Sequence, residues 1–240
     1  MKKFELTNEF ITNMFGTKLF RIRALVEFGD VEAGELGGYV EKESNLGHDD
    51  NAWVYDNAWV YGDAQVSGDA LVYDNAWVYG DAQVSGDALV YGNARVYGNA
   101  WVYGNAWVYG NAWVYGNALV CGNARVYDNA RVYGDAWVYG NARVCGDALV
   151  CGDARVCGNG DYAYAHGFGS VNRTTTFFRL KDGGVGVRCG CFYGTLAQFR
   201  DKIRETHGES AIAEEYLDLA ALMEKRFRRT GNEQKTEEES

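Results

Sequence analysis

The sequence predicts a mainly β protein built around a parallel β-helix of about six triangular coils and closed by a small α+β segment. Three observations carry this prediction. An alanine recurs every six residues from Ala52 to Ala154, and a valine follows two positions later each time, from Val54 to Val156, giving eighteen uninterrupted hexads. Residues 56–73, DNAWVYGDAQVSGDALVY, recur unchanged at 74–91, so three hexads form an eighteen-residue unit. The chain also carries 31 glycines and no proline, a bias that belongs to an internal repeat rather than an ordinary domain.

Each hexad reads Gly/Asp, Asn/Asp, Ala, variable, Val, Tyr/Ser/Cys, as in Gly104-Asn105-Ala106-Trp107-Val108-Tyr109. Alternation along Ala-x-Val-x places Ala and Val on one face of a short strand. The Gly-Asn or Gly-Asp pair supplies a turn, because these residues tolerate unusual backbone angles. Three strands and three corners close one coil. Six coils at the ordinary interstrand spacing make a column of roughly 29 Å.

Volume decides which face points inward. Three Val and three Ala fill a narrow prism, whereas Trp and Tyr cannot, so the nineteen aromatics of the array point outward. Sorted by threes, the first face carries Trp53, Tyr55, Tyr73, Tyr91, Trp107, Tyr109 and Tyr127. The second carries Trp59, Tyr61, Trp77, Tyr79, Tyr97, Trp113, Tyr115 and Tyr133. The third has Trp101, Tyr103, Trp137 and Tyr139, and opens with Gln65, Ser67, Gln83 and Ser85. Two faces are expected to be apolar and one mixed, which makes the first two candidates for a subunit or ligand interface.

The array resembles the hexapeptide-repeat superfamily, whose frame of an aliphatic residue, turn residues with Gly and Asn, and a small residue is met by Val108-Tyr109-Gly110-Asn111-Ala112-Trp113. The resemblance covers nearly half the chain and implies a left-handed coil, which periodicity does not reveal. It implies no single function, since the superfamily holds acyltransferases, carbonic anhydrase-like enzymes and inert scaffolds. The repeats are also similar to those of bacterial and phage proteins with Gly-Asn-Ala-x-Val-Tyr units. Phe28-Gly29-Asp30-Val31 and Gly37-Gly38-Tyr39-Val40 share that likeness.

A coil stack leaves unpaired strand edges and an open core at both ends, so caps are expected at 1–50 and after 158. In the first, Phe20 to Val26 reads as a strand, followed by an irregular passage into the array. After it, Arg173–Leu180 and Val185–Arg188 around Lys181-Asp182-Gly183-Gly184 read as a hairpin. Thr195 reads as the N-cap of a helix ending near His207-Gly208. A second amphipathic helix is expected over Ala211–Arg228, completing a 159–228 segment, with 229–240 a disordered polar tail.

A net charge of −10 and a pI near 4.8 exclude general nucleic-acid binding, which needs clustered Lys and Arg. Polar residues interrupt the first 25 positions and no stretch reaches membrane-span length, so a cytoplasmic protein without a membrane partner is expected. Cys145, Cys151 and Cys157 fall on three different faces and Cys121 lies two coils from Cys157, a geometry that forbids disulfides and suits a reducing compartment.

The eighteen hexads contain no histidine and no extended loop, unlike acyltransferases of the superfamily; His48, His166 and His207 lie outside them. Cys189-Gly190-Cys191 is one C-x-C without a second pair, so neither a metal nor another cofactor is expected. Arg95, Arg125, Arg131, Arg143 and Arg155 lie in the later hexads, while residues 51–92 hold six Asp and no Lys or Arg. Arg173 and Arg188 extend the basic end, where an anion such as a sugar phosphate or nucleotide is a candidate ligand.

Three functions stay open. The preferred one is a non-enzymatic structural or interaction protein that oligomerises, as a homotrimer, through its aromatic faces and is phage-derived. A binder of sugars or nucleotides is the alternative, and an acyltransferase the third. The candidate ligand or interface residues are Trp59, Tyr61, Trp77, Tyr79, Tyr97, Trp113, Tyr115, Tyr133, Arg173 and Arg188.

Overall fold

The computed structural model describes residues 2–169 and 171–238, the last eight of these by backbone alone. Three antiparallel strands open the chain: β1 (Phe4–Thr12), β2 (Lys18–Ala24) and β3 (Leu36–Val40). Eighteen short strands follow, β4 to β21, from Trp53–Val54 to Arg155–Val156. Each but the last three pairs in parallel with the strand eighteen residues on, Val54 with Val72 and Val138 with Val156 among them. The result is three sheets around one axis, with every array Ala and Val at 0 or 1% exposure. The six coils and three faces thus stand as the hexads require.

The coil extends further toward the N-terminus than the hexads do. β3 pairs in parallel with the second sheet, Val40 opposite Val60, and Leu46 bridges Val66 on the third. The offset there is twenty residues rather than eighteen, because two extra residues lie between Leu46 and the first regular hexad. Counting this partial coil, the solenoid has about seven turns. The passage expected to be irregular is therefore largely a coil that lost its repeat sequence. β1 and β2 continue its sheet as a hairpin, with β2 slightly upstream of the Phe20–Val26 expectation.

The corners explain the turn residues. Gly86 adopts φ 68° at one corner, and a Cβ there would lie 2.9 Å from the backbone nitrogen of Gly104 in the next coil. Asp occupies the same left-handed region at Asp56, Asp74 and Asp128. The backbone cost of a non-glycine residue there is offset by a hydrogen bond: Gly92 N–H donates to Asp74 and Gly146 N–H to Asp128. The neighbouring Asn side chains form ladders in which Asn93 donates to Asn111, Asn111 to Asn129 and Asn129 to Asp147. Aspartate suits the end of such a run because a carboxylate only accepts.

Both ends of the prism are closed by side chains that satisfy exposed backbone groups. At the N-terminal end buried Asn45 donates to the Gly62 and Ala64 carbonyls, and Lys3 Nζ to those of Asp50 and Ala52. Burial pushes the Lys3 pKa down against the pull of Asp50. Phe4, Phe28 and Tyr55 enclose Trp53, which leaves this outward-facing tryptophan wholly buried.

At the other end stands a four-stranded antiparallel sheet: β22 (Tyr162–Phe168), β23 (Arg173–Arg179), β24 (Val185–Cys189) and β25 (Phe192–Thr195). The expected hairpin is its centre. Thr176 and Phe178 face the last coil, where the Thr176 hydroxyl accepts the Leu149 N–H and Phe178 plugs the core. The alternate residues Phe177 and Val187 pack on α1 (Leu196–His207) and α2 (Ala211–Glu238). Thr195 caps α1 with a capping box to Gln198 and Gly208 ends it at φ 59°, as read from the sequence. The helix α2 continues past Arg228, so positions 229–238 of the expected disordered tail are helical. Glu, Gln and Lys extend a helix already nucleated by packing. Glu239 and Ser240 of that tail lie outside the described residues.

Candidate functional site

The second face carries two columns that run the length of the array. In the outer column Trp59 stacks on Trp77 at 4.6 Å with ring planes 4° apart. The Arg95 guanidinium then lies between two indoles, 4.5 Å from Trp77 and 5.1 Å from Trp113, and Arg131 covers the other side of Trp113 at 4.5 Å. Beside it Tyr61, Tyr79, Tyr97, Tyr115 and Tyr133 stack at 4.8–4.9 Å, no pair tilted by more than 4°. One side chain per coil at the interstrand spacing leaves planar groups almost no choice but to lie flat on one another.

The stack has two electrostatic consequences. Burial pushes the Tyr97 hydroxyl up to about 12, and Tyr61, Tyr79, Tyr115 and Tyr133 shift the same way for the same first cause. All five phenols are therefore neutral at physiological pH and present a row of hydroxyls. Arg95 and Arg131 add charge to the neighbouring column, so the face expected to be apolar is amphipathic.

The first face repeats the design more weakly. Tyr73, Tyr91, Tyr109 and Tyr127 stack at 4.7–5.0 Å, and Arg125 covers Trp107 at 4.2 Å. On both faces every ladder ring beyond buried Trp53 is half-buried. The third face reverses the exposure expected from composition: Trp101, Trp137 and Tyr103 are 46, 44 and 38% exposed. A ring next to another ring is covered by it, whereas Trp101 is paired across the sheet with Gln83 and Leu119, which are too small or too flexible to cover an indole.

Of the ten sequence-derived candidates, the eight aromatics lie together on the second face as expected. Arg188 joins them, since its charge acts on Tyr115, Tyr133 and Cys151 at the C-terminal end of the tyrosine column. Arg173 does not. It sits on the opposite face of the terminal sheet, beside the Gly190 turn and close enough to act on Tyr216 of α2. The two arginines therefore leave opposite faces of the sheet, although Arg188 also reaches the Cys191 carbonyl at that same turn. Sequence reading counted Arg95 and Arg131 toward the basic end and did not place them in the second face; their eighteen-residue offsets from Trp77 and Trp113 were the available signal.

Four cysteines take tyrosine positions in the array and two lie in the terminal sheet. None of the six is joined in a disulfide, with Cys121 next to the Tyr103 hydroxyl, Cys145 3.6 Å from that of Tyr162, and Cys151 buried beneath Tyr133. The histidines are dispersed: His48 stacks on Phe4, His166 bonds to Thr174, and His207 lies against Tyr216. Among the described residues, no three His, Cys, Asp or Glu side chains converge in a way that would hold a metal, and no helix is long and apolar enough to cross a membrane.

With this geometry in view, one comparison with known proteins bears on the repeat. The model of the YdcK beta solenoid repeat matches residues 64–80, 82–95, 90–104, 94–110, 102–116, 124–140 and 136–152. These windows fall wholly within the stacked coils and make the chain a β-solenoid repeat protein. A search of curated proteins returns no match.

Proposed function

We propose that this protein is a non-catalytic interaction scaffold that presents the second face as its recognition surface. The observation that carries the reading is the ladder that runs from Trp59 to Tyr133 with Arg188 beyond its C-terminal end, a flat and rigid strip of ring edges, phenol hydroxyls and guanidinium groups. Its rigidity comes from the coil beneath, so binding need not pay to order the surface.

The partner proposed is a second copy of the chain. Face one carries the shorter tyrosine column and adjoins face two along one edge of the prism. A closed ring in which face one of each subunit meets face two of the next covers both, and three subunits, in keeping with the hexapeptide-repeat likeness, close such a ring. The reading places the trimer in the cytoplasm, where cysteines stay out of disulfides, and allows a phage origin. Light scattering on the intact chain tests it: the wild type runs as a trimer, Tyr97→Asp with Trp113→Asp dissociates it, and Gln65→Asp with Gln83→Asp on face three does not. A monomeric wild type removes self-association and leaves the strip open to a different partner.

A further inference from the structure

Each of six tryptophans has its ring engaged by another aromatic ring or a guanidinium. Trp53 is enclosed by aromatics, Trp59 and Trp77 cover one another, and Trp107, Trp113 and Trp137 each carry a guanidinium. Trp101 alone, among the described residues, has neither. It stands on face three where the outward column changes from Gln65 and Gln83 to an indole, and the parallel column changes from Ser67 and Ser85 to Tyr103. The step leaves a notch of about 230 Å³ lined by Gln83, Ser85, Trp101 and Tyr103.

Polar groups line the notch beside the indole. Among the described residues, the Gln83 amide and the Ser85 hydroxyl have no partner within the protein, although both flank the exposed ring. Asp81 and Asp87 occupy the corners on either side of the Gln83 strand and Asp69 the corner one coil earlier, while Lys42 is paired with Asp63 and Arg95 lies between indoles of the second face. A phosphate or carboxylate is repelled there. A neutral ligand is not.

We infer that this notch binds one ring of a neutral sugar. A pyranose has an apolar C–H face and a rim of hydroxyls that both donate and accept. The uncovered indole supplies a flat apolar plate for that face. Gln83, Ser85 and Tyr103 supply groups that both donate and accept for the rim. The volume admits a single ring, and the rest of an oligosaccharide runs along face three toward Trp137, two coils and about 10 Å away. The site lies outside the faces assigned above to self-association and does not rest on that assignment.

Saturation-transfer NMR and calorimetry on the intact chain provide the test, with cellotetraose and chitotriose as neutral probes and glucuronate and AMP as charged ones. Binding of a neutral probe is expected, weakened about tenfold or more by Trp101→Ala. Gln83→Trp is the second variant. It completes an indole stack like that of Trp59 on Trp77, fills the notch without opening a cavity, and should abolish binding while the thermal midpoint holds or rises. Leu222→Ala, an exposed position on α2 away from the three faces, should bind as the wild type does. The inference is overturned if neither neutral probe binds, if Gln83→Trp binds unchanged, or if glucuronate or AMP binds as well as the neutral probes.

Discussion

Faces two and three share one backbone, one turn chemistry and one valine-alanine core, and they differ only in two outward residues per coil. Face two has eight aromatics and face three has four, yet the most exposed rings of the array are Trp101 and Trp137 on face three. Face two is filled at nearly every level by a ring or a guanidinium, so each group is covered from above and below. Face three interrupts its columns with Gln, Ser, Leu and Cys, which strands the rings it has. Continuity, rather than the number of aromatics, sets how much apolar surface a solenoid face offers. A long ladder is a structural surface that shows its edges, and a broken one opens ring faces to solvent.

The comparison can be broken most severely by alkali. Burial raises the Tyr73 and Tyr97 hydroxyls to about 12, against about 10 in an unfolded chain. A raised folded-state value favours the neutral phenol in the fold, so its contribution is complete below pH 10 and lost as pH rises from 10 to 12. Thermal melts should fall steeply across that window, and Tyr97→Phe, which keeps the ring and removes the proton, should flatten the fall. Tyr103 on face three is raised first by the neighbouring Cys121 thiol, so Cys121→Ala should lower its spectroscopic midpoint while those of face two stay put. Movement of the face-two midpoints in that variant would contradict the division between the faces.

Truncation of single indoles comes next. Trp113→Ala removes a half-buried ring held between two guanidiniums and should cost about 2–3 kcal/mol, combining lost area with two cation–π contacts. Trp101→Ala should cost about 1 kcal/mol or less, because its ring is neither stacked nor sandwiched. Equal losses in denaturant titration would show that ladder continuity contributes little.

Repairing the broken face should give a smaller effect of opposite sign. Gln83→Trp adds a stacking pair with Trp101 and should stabilise by about 0.5–1.5 kcal/mol. A destabilised variant would mean that the face-three column cannot accept a second indole at this step.

The smallest effect belongs to the corners common to all faces. Asp74→Gly gives up the bond from Gly92 N–H but relieves a left-handed non-glycine residue at φ 59°. These two changes oppose one another at similar size, so the melting point should move by no more than about 0.5 kcal/mol equivalent. A loss several times larger would show that the carboxylate does more than close one corner.

The sequence alone determined the parts of this protein that repeat. A period of six with alanine and valine in fixed phase admits one inward face, and the identical eighteen-residue blocks admit three sheets, so the assignment of every array side chain to its face was legible. So were the absence of a disulfide among the four array cysteines, Thr195 as a helix cap and Gly208 as a helix end, because each depends on neighbours close in sequence or at a known register. Tertiary structure decided the remainder. The partial coil of β3 and Leu46 carries no repeat signature, since its offset of twenty hides it from a period of eighteen. The placement of Arg173 and Arg188 on opposite faces of one sheet follows from its register, and which of those faces meets the last coil follows from how the sheet docks there. The exposure of Trp101 depends on what Gln83 and Leu119 leave uncovered above and below it. Periodicity fixes the direction in which a side chain points, while coverage by its neighbours is a property of volume in three dimensions, and that is where these residues acquire their distinct surroundings.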